Sequence, residues 1–281
     1  MSEQKYQKLN QLLAWLPDGS VVDAATLDQR GYPSNLRAKY LDANWLSSPV
    51  RGLFTRPGQI LSWQSVVYSM QTLMSKDVLV GGRTALELKG YAHYLELSGA
   101  QEVMLYCDTR LPSWLENLPV PGVRFVTHKP DRLFGAGDLA RVFEAHRLMH
   151  DAGGSSIDLE PFVWGPTGQP VLISTLERAV LELLEALPDD QSFHQVDLVF
   201  ESLTSLRPRR MQALLERCRS VKTKRLFFVF AQRHKHGWLK YLDESKVDLG
   251  SGKRSLVKGG TLDTRYLITV PDELVGETAG G

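Results

Sequence analysis

GYPSNLRAKYLDANWL, residues 31–46, followed at once by SSPVRGLFTRPG, residues 47–58, is the stretch whose reading decides the fold. Gly31 and Pro33 punctuate the chain, and Pro33-Ser34 opens a helix. Leu36, Tyr40 and Ala43, with Leu41 flanking, form its predicted buried stripe. A 3.6-residue period then directs Asn35, Arg37, Ala38, Lys39 and Asp42 to solvent. After Trp45 the pattern changes to two short strand-like runs around a Ser48-Pro49 turn, closed by Pro57-Gly58.

Upstream, Tyr6, Leu9, Leu12, Leu13 and Leu16 recur at helical spacing until Pro17-Asp18-Gly19 stops the run. Ser20-Val21-Val22 can form one short strand. Asp23 is a good N-cap for a short helix with Ala24 and Leu27 inward, and Gly31 suits its end. The order helix, strand, helix, helix, hairpin is that of a winged helix-turn-helix over about residues 1–58. In such a unit the second helix lies in the major groove and leads with its N-terminal side chains. Asn35 and Arg37 are therefore the predicted base readers. Ser34, Lys39, Arg51 and Arg56 are the predicted backbone contacts. Charge does not decide the matter, because the first sixty residues hold seven Lys/Arg against five Asp/Glu. An ordinary solvated helix and a surface hairpin are the competing reading.

Further along, Ser62 caps a helix whose Trp63, Val66, Val67, Met70, Leu73 and Met74 form an apolar face suited to a core. DVLVGG (77–82) reads as a strand entering a tight turn, and RTALELKG (83–90) as a short helix. The middle is strand-rich (EVMLYC, VRFVTH, SIDLEPFVW, PVLIST), with DLARVFEAHRLMH as an inserted helix. Ser174 and Glu177 have the spacing of a capping box. Helices follow around LERAVLELLEAL, FHQVDLVFESL, RRMQALLERC and TKRLFFVFAQRH, and RSLVK and RYLITV close the chain as strands. The expected fold class is α+β. A winged helix-turn-helix region with its connecting helix and strand spans 1–95, and a larger mixed α/β domain spans 96–281.

The formal charge of +1 argues against a globally basic nucleic-acid binder, so any such partner must meet a local patch. Two cysteines, Cys107 and Cys218, make no disulfide framework, which favours a reducing compartment. MSEQKYQKLN lacks an apolar run, and no segment is long and apolar enough for a bilayer. A cytoplasmic protein without membrane partners is expected.

SLRPRRMQALLERCRSVKTKR (205–225) is strongly basic. It holds Arg207, Arg209, Arg210, Arg217, Arg219, Lys222, Lys224 and Arg225 against Glu216 alone. It is a second candidate surface for a phosphate backbone or an acidic partner, with a solvated helix face as the default. Enzyme signals are weak. Asp158 and Glu160 could hold Mg²⁺ for nucleotidyl transfer, but they lie far from Gly81-Gly82, and such alternation usually marks the wet face of a strand. His146 and His150 are four apart with no third ligand in view. His234 and His236 sit in a basic tract, where solvation suffices. No catalytic residue, metal or cofactor is expected.

LLAWLPDGSVVDAATLDQRGYPSNLRAKYLDANWLSSPVRGLFTRPG, then LSWQSVVYSMQTL, then VGGRTALELKGYAHYL resembles the N-terminal region of the AbiEi-type abortive-infection antitoxins. LISTLERAVLELLEALP is similar to the S-x-x-ERA-x-x-E-x-L segment of that family's C-terminal domain. The resemblance implies a type IV toxin–antitoxin antitoxin that represses its own operon by binding inverted repeats in double-stranded promoter DNA. It also implies a functional partner, a cognate nucleotidyltransferase-like toxin. Ser48-Pro49 departs from the family pattern at the wing. A nucleotidyltransferase-like enzyme and a protein-binding adaptor are the alternative readings.

Overall fold

The computed structural model describes residues 3–91, 100–151, 153–165 and 168–275. The first sixty residues run α1 (Glu3–Trp15), β1 (Val21–Asp23), α2 (Ala24–Gln29), α3 (Ser34–Asp42) and β2 (Leu53–Thr55). Asp23 caps α2 by accepting the Thr26 N–H at 2.8 Å. β1 pairs antiparallel with β2, and Ser47 bridges the far side of β2 at Thr55. The first predicted hairpin strand is thus a single bridge. The result is a two-stranded sheet extended by one bridge, in the order β1–β2–Ser47. Leu9, Leu12, Leu16, Val22, Leu27, Tyr40, Leu46 and Phe54 fill its core; the side chain of Tyr6 lies outside the described residues.

α4 (Trp63–Tyr68) carries a reciprocal Ser62/Ser65 capping box and runs on as a π-turn, Ser69–Leu73. Then come β3 (Val78–Val80), α5 (Gly82–Leu88), β4 (Gln101–Cys107), α6 (Trp114–Asn117), β5 (Val123–His128), α7 (Asp131–Phe134) and α8 (Asp138–Asp151). β6 (Leu159–Trp164), β7 (Gln169–Ser174), α9 (Leu176–Glu185), α10 (Phe193–Ser202), α11 (Pro208–Arg217) and α12 (Val221–His234) follow. β8 (Arg254–Ser255), β9 (Thr261–Asp263), β10 (Ile268–Val270) and α13 (Asp272–Val275) complete the order.

The main sheet has the order β5-β4-β3-β7-β6. β3 lies at its centre, parallel to β7 and antiparallel to β4, and all three of its residues are buried. That is what a short unbroken apolar run means in a sheet covered on both faces. The two-residue strand period divides the core. Val78, Val80, Val103, Leu105, Val171 and Ile173 pack with α4 and the π-turn. Leu79, Met104, Tyr106 and Leu159 pack under Leu139, Val142 and Phe143 of α8. α5 and α9–α12 form a helical layer with its own apolar core.

The N-terminal unit is fastened to this body. Ser69 Oγ accepts the Val21 N–H at 3.0 Å and donates to Ser65 O at 2.6 Å, and Val21 and Leu53 share the core of α4. The predicted boundary at 95/96 falls within residues 92–99, outside the described residues. The predicted connecting helix and strand, 63–80, pack into the large sheet and its cover.

Two local expectations are corrected. The N-cap of α9 is Thr175, without a side-chain capping bond. Ser174 instead donates to Glu182 (2.8 Å), and Glu177 accepts the Arg207 N–H (2.8 Å). In α3 the buried face is turned from the predicted one, so that Arg37 is buried and Ala43 exposed.

Candidate nucleic-acid interface

Only Leu36, Tyr40 and Leu41 are large and apolar in the nine residues of α3. So few apolar groups leave the helix rotation to its polar partners. Arg37 decides it. Its Nη1 donates to Asp28 Oδ1 at 2.5 Å, to Tyr32 O at 2.7 Å and to Ala24 O at 3.3 Å, while its guanidinium lies 5.6 Å from the Phe54 ring. Only 8% of Arg37 is accessible. The side chain predicted to read a base instead clamps the α2–α3 turn. The physical reason is an acid within reach at the end of α2 together with turn carbonyls in need of donors.

The turn of the helix leaves one continuous outer stripe. Ser34, Asn35, Ala38, Lys39 and Asp42 are all exposed, at the spacing of one helical face. Pro33 precedes the helix without a side-chain cap, and its carbonyl accepts the N–H groups of Leu36 (2.9 Å) and Arg37 (3.0 Å). The opening end of α3 therefore presents short polar side chains and the positive end of the helix dipole together.

The hairpin arginines separate in the same way. Arg56 is half-buried. Its Nη1 donates to Asp18 at 2.6 Å, and Nη2 donates to Leu13 O, so it ties the wing to the end of α1. Arg51 is exposed on the turn before β2. Ser48 closes that turn by donating to Val50 O and Leu53 O, each at 2.9 Å, and Gly52 takes φ +81°. The structure thus brings Ser34, Asn35 and Lys39 onto one exposed helix face, leaves Arg51 exposed on the hairpin turn, and withdraws Arg37 and Arg56 into the scaffold.

The second basic run divides likewise. Arg225 is buried and donates to the carbonyls of Leu249 (2.8 Å), Gly252 (2.7 Å) and Leu267 (2.9 Å), fixing the C-terminal loops. Lys222 donates to Glu185 O (2.5 Å) and Leu187 O (2.8 Å) past the end of α9. Lys224 is buried. These three are corrected from surface to scaffold. Arg207 and Arg209 are exposed and Arg210 is partly so.

The carboxylates considered for a metal are occupied by cations. Arg178, fully buried, reaches Glu182, Asp138 and Asp158, each at 2.8 Å. Arg217 Nη1 adds a bond to Asp158 at 3.1 Å. Burial pushes the Asp158 carboxyl up, but Arg217 and Arg178 outweigh it and hold it below its ordinary value. Glu160 pairs with Lys89. Gly81 and Gly82 serve this centre. A Cβ on Gly81 would lie 2.3 Å from Glu182 Oε2, and the Gly82 N–H donates to the same oxygen at 2.8 Å. Among the described residues no cluster of three His, Cys, Asp or Glu side chains could hold a metal. The side chain of His150 lies outside the described residues. His234 bonds Asp197 and His236 bonds Phe200 O, both at 2.7 Å.

Residues 100–271 match the family model described as "Transcriptional regulator, AbiEi antitoxin, Type IV TA system". Residues 5–97 match the model of the AbiEi antitoxin N-terminal domain. The chain belongs to the AbiEi antitoxin family. A search of the curated proteins found no match. Among solved structures, the RV2827C protein from Mycobacterium tuberculosis is similar in fold, with a TM-score of 0.50 and 14% identity over 91% of this chain and 88% of that one.

The AbiEi family is described as a transcriptional regulator and antitoxin rather than as an enzyme. Among the described residues no helix is long and apolar enough to cross a membrane. Sequence reading of this AbiEi chain missed Arg178 as the organising residue of its larger domain. One signal was available: Arg178 and Glu182 are four apart on a helix whose other residues are mostly apolar and buried, where only a paired charge is tolerated.

Proposed function

We propose that this AbiEi antitoxin represses its own operon by placing the outer face of α3 in the major groove of promoter DNA. The observation that supports this most is the exposed stripe Ser34–Asn35–Ala38–Lys39, held outward by the buried Arg37 on its opposite side. Short side chains at the start of a helix allow close approach to base edges. Asn35 can pair bidentately with adenine and Ala38 can meet a thymine methyl. Ser34 and the first-turn N–H groups suit a phosphate. Lys39 and Arg51 supply backbone charge, whereas Asp42 at the far end marks where the groove contact stops. Arg37 and Arg56 support this surface without touching DNA.

A gel-shift on the DNA upstream of its own reading frame tests the reading. Asn35→Ala is expected to cost about 1–3 kcal/mol of operator binding and to relax base preference. Lys39→Ala should weaken all sequences alike and reduce the salt slope by about 0.9. Affinity unchanged by both substitutions removes the assignment. The antitoxin arm rests on the family description. Its expected functional partner is a cognate nucleotidyltransferase-like toxin. Co-expression with the toxin gene next to its own should restore growth even when Asn35 and Lys39 are both alanine. Failure of the wild-type chain to restore growth removes that arm alone.

A further inference from the structure

Arg207, Arg209 and Arg210 stand apart from the rest of their basic run. Arg217, Lys222 and Arg225 are engaged by Asp158, the end of α9 and three loop carbonyls. Arg207 commits only its backbone N–H, to Glu177, and Arg210 places one N–H 3.3 Å from Ser155 Oγ. Among the described residues no carboxylate lies within ion-pair distance of these three guanidinium groups. Two hollows meet along Arg207 and Arg210. One, of about 610 Å³, is walled by Leu206, Pro208, Arg209 and Tyr241. The other, of about 960 Å³, continues between α8 and the β6–β7 edge past Ser155 and Ser156.

Tyr241 is 67% exposed, although its neighbours are fixed. Trp238 is buried and donates from Nε1 to Leu203 O at 2.6 Å, and Leu239 and Leu242 pack on the helical core. Gln212 of α11 grips Asp243 through both backbone groups, at 2.9 and 3.1 Å. An aromatic ring, with Lys240 Nζ over it at 5.0 Å from the centroid, is thus held outward beside three guanidinium forks that keep donors to spare.

We infer that this groove binds single-stranded nucleic acid, with a base stacked on Tyr241 and the backbone phosphates on Arg207, Arg209 and Arg210. Guanidinium forks match phosphate oxygens bidentately. Stacking on an aromatic platform needs an unpaired base, because a duplex hides its base faces. Burial lowers the Lys89 amine to about 8; Glu177 opposes this, and the charges of Arg207 and Arg210 reinforce it. This surface is distinct from the α3 stripe.

The test is fluorescence anisotropy of the full chain with a labelled mixed-sequence RNA or DNA strand of about twelve nucleotides. Binding that weakens with salt is expected. Tyr241→Ala should weaken it about tenfold, and Tyr241→Phe should keep it within about twofold, because the phenyl ring still stacks. Arg209→Glu with Arg210→Glu should abolish it, whereas alanine at Asn35 and Lys39 should leave it intact. Tyr241 and Arg209 are exposed, so the melting temperature stays constant across these variants. The inference is overturned if the wild type does not bind at low salt or if Tyr241→Ala changes nothing. It is equally overturned if a duplex of the same sequence, or a poly-glutamate peptide, binds through the same arginines more tightly than the single strand.

Discussion

Helices α3 and α11 are both short and carry two and three basic residues respectively, and they dispose of them in opposite ways. In α3 the arginine turns inward and the outer face keeps one lysine. In α11 the arginines of the first turns remain at the surface, and the last, Arg217, folds down onto Asp158. Residue type does not explain the difference; the position of the nearest unsatisfied acceptor does. Arg37 finds Asp28 at the end of α2 and Tyr32 O in the turn before α3, whereas Arg209 finds no such group among the described residues. A buried arginine costs desolvation that only close acceptors offset. Inward arginines are therefore scaffold, and outward ones are free for a partner.

That distinction can be broken most decisively at the centre of the larger domain. Arg178→Met leaves Glu182, Asp138 and Asp158 buried without their common counter-ion. It should cost about 3–5 kcal/mol in urea unfolding, while Arg209→Glu should stay within about 0.5 kcal/mol. Equal effects at the two sites would erase the division. Gly81→Ala comes next. Its new methyl would meet Glu182 Oε2 and lie 2.7 Å from the Tyr106 ring, an overpacking worth about 1–3 kcal/mol. Arg37→Ala should cost about 1–3 kcal/mol of stability through its lost charge-assisted bonds. Lys39→Ala should leave the unfolding midpoint where it is, and a destabilised Lys39→Ala would mean that the outer face of α3 is structural.

The smallest effect is the pH dependence. The Asp158 pKa is held below its ordinary value in the fold. Its stabilisation is therefore complete above the ordinary aspartate range, near about pH 4, and is lost as pH falls through the lowered folded value. Urea midpoints recorded downward from about pH 5 should fall for the wild type. They should fall less steeply for Arg178→Met, in which one cation holding Asp158 ionised is gone.

Much of the architecture was legible in the sequence because it rests on local signals. Asp23 and Ser62 cap their helices as their chemistry dictates. DVLVGG and PVLIST supply the adjacent strands β3 and β7, and the order of elements over 1–58 can be read from punctuation and period. The rotation of α3 was not legible. Its apolar residues are too few, and the acid that fixes Arg37 lies in another helix. The capping-box reading of Ser174 and Glu177 failed for a related reason. Ser174 answers Glu182 of the buried cluster, two turns further along α9, and Glu177 answers the distant start of α11. Asp158 and Glu160 resemble metal ligands until tertiary structure brings Arg178, Arg217 and Lys89 to them. Charge pairing across 20 to 71 residues leaves no periodicity to read.

The most direct test of inward against outward basic residues is a paired experiment on one preparation of the Asn35→Ala, Lys39→Ala double variant. Its melting curve and its affinity for its own promoter DNA are measured together. The expected result is an unchanged melting temperature with operator binding weakened by about tenfold or more. Operator binding equal to that of the wild type, with the same melting temperature, would contradict the placement of the DNA contact on the outer face of α3.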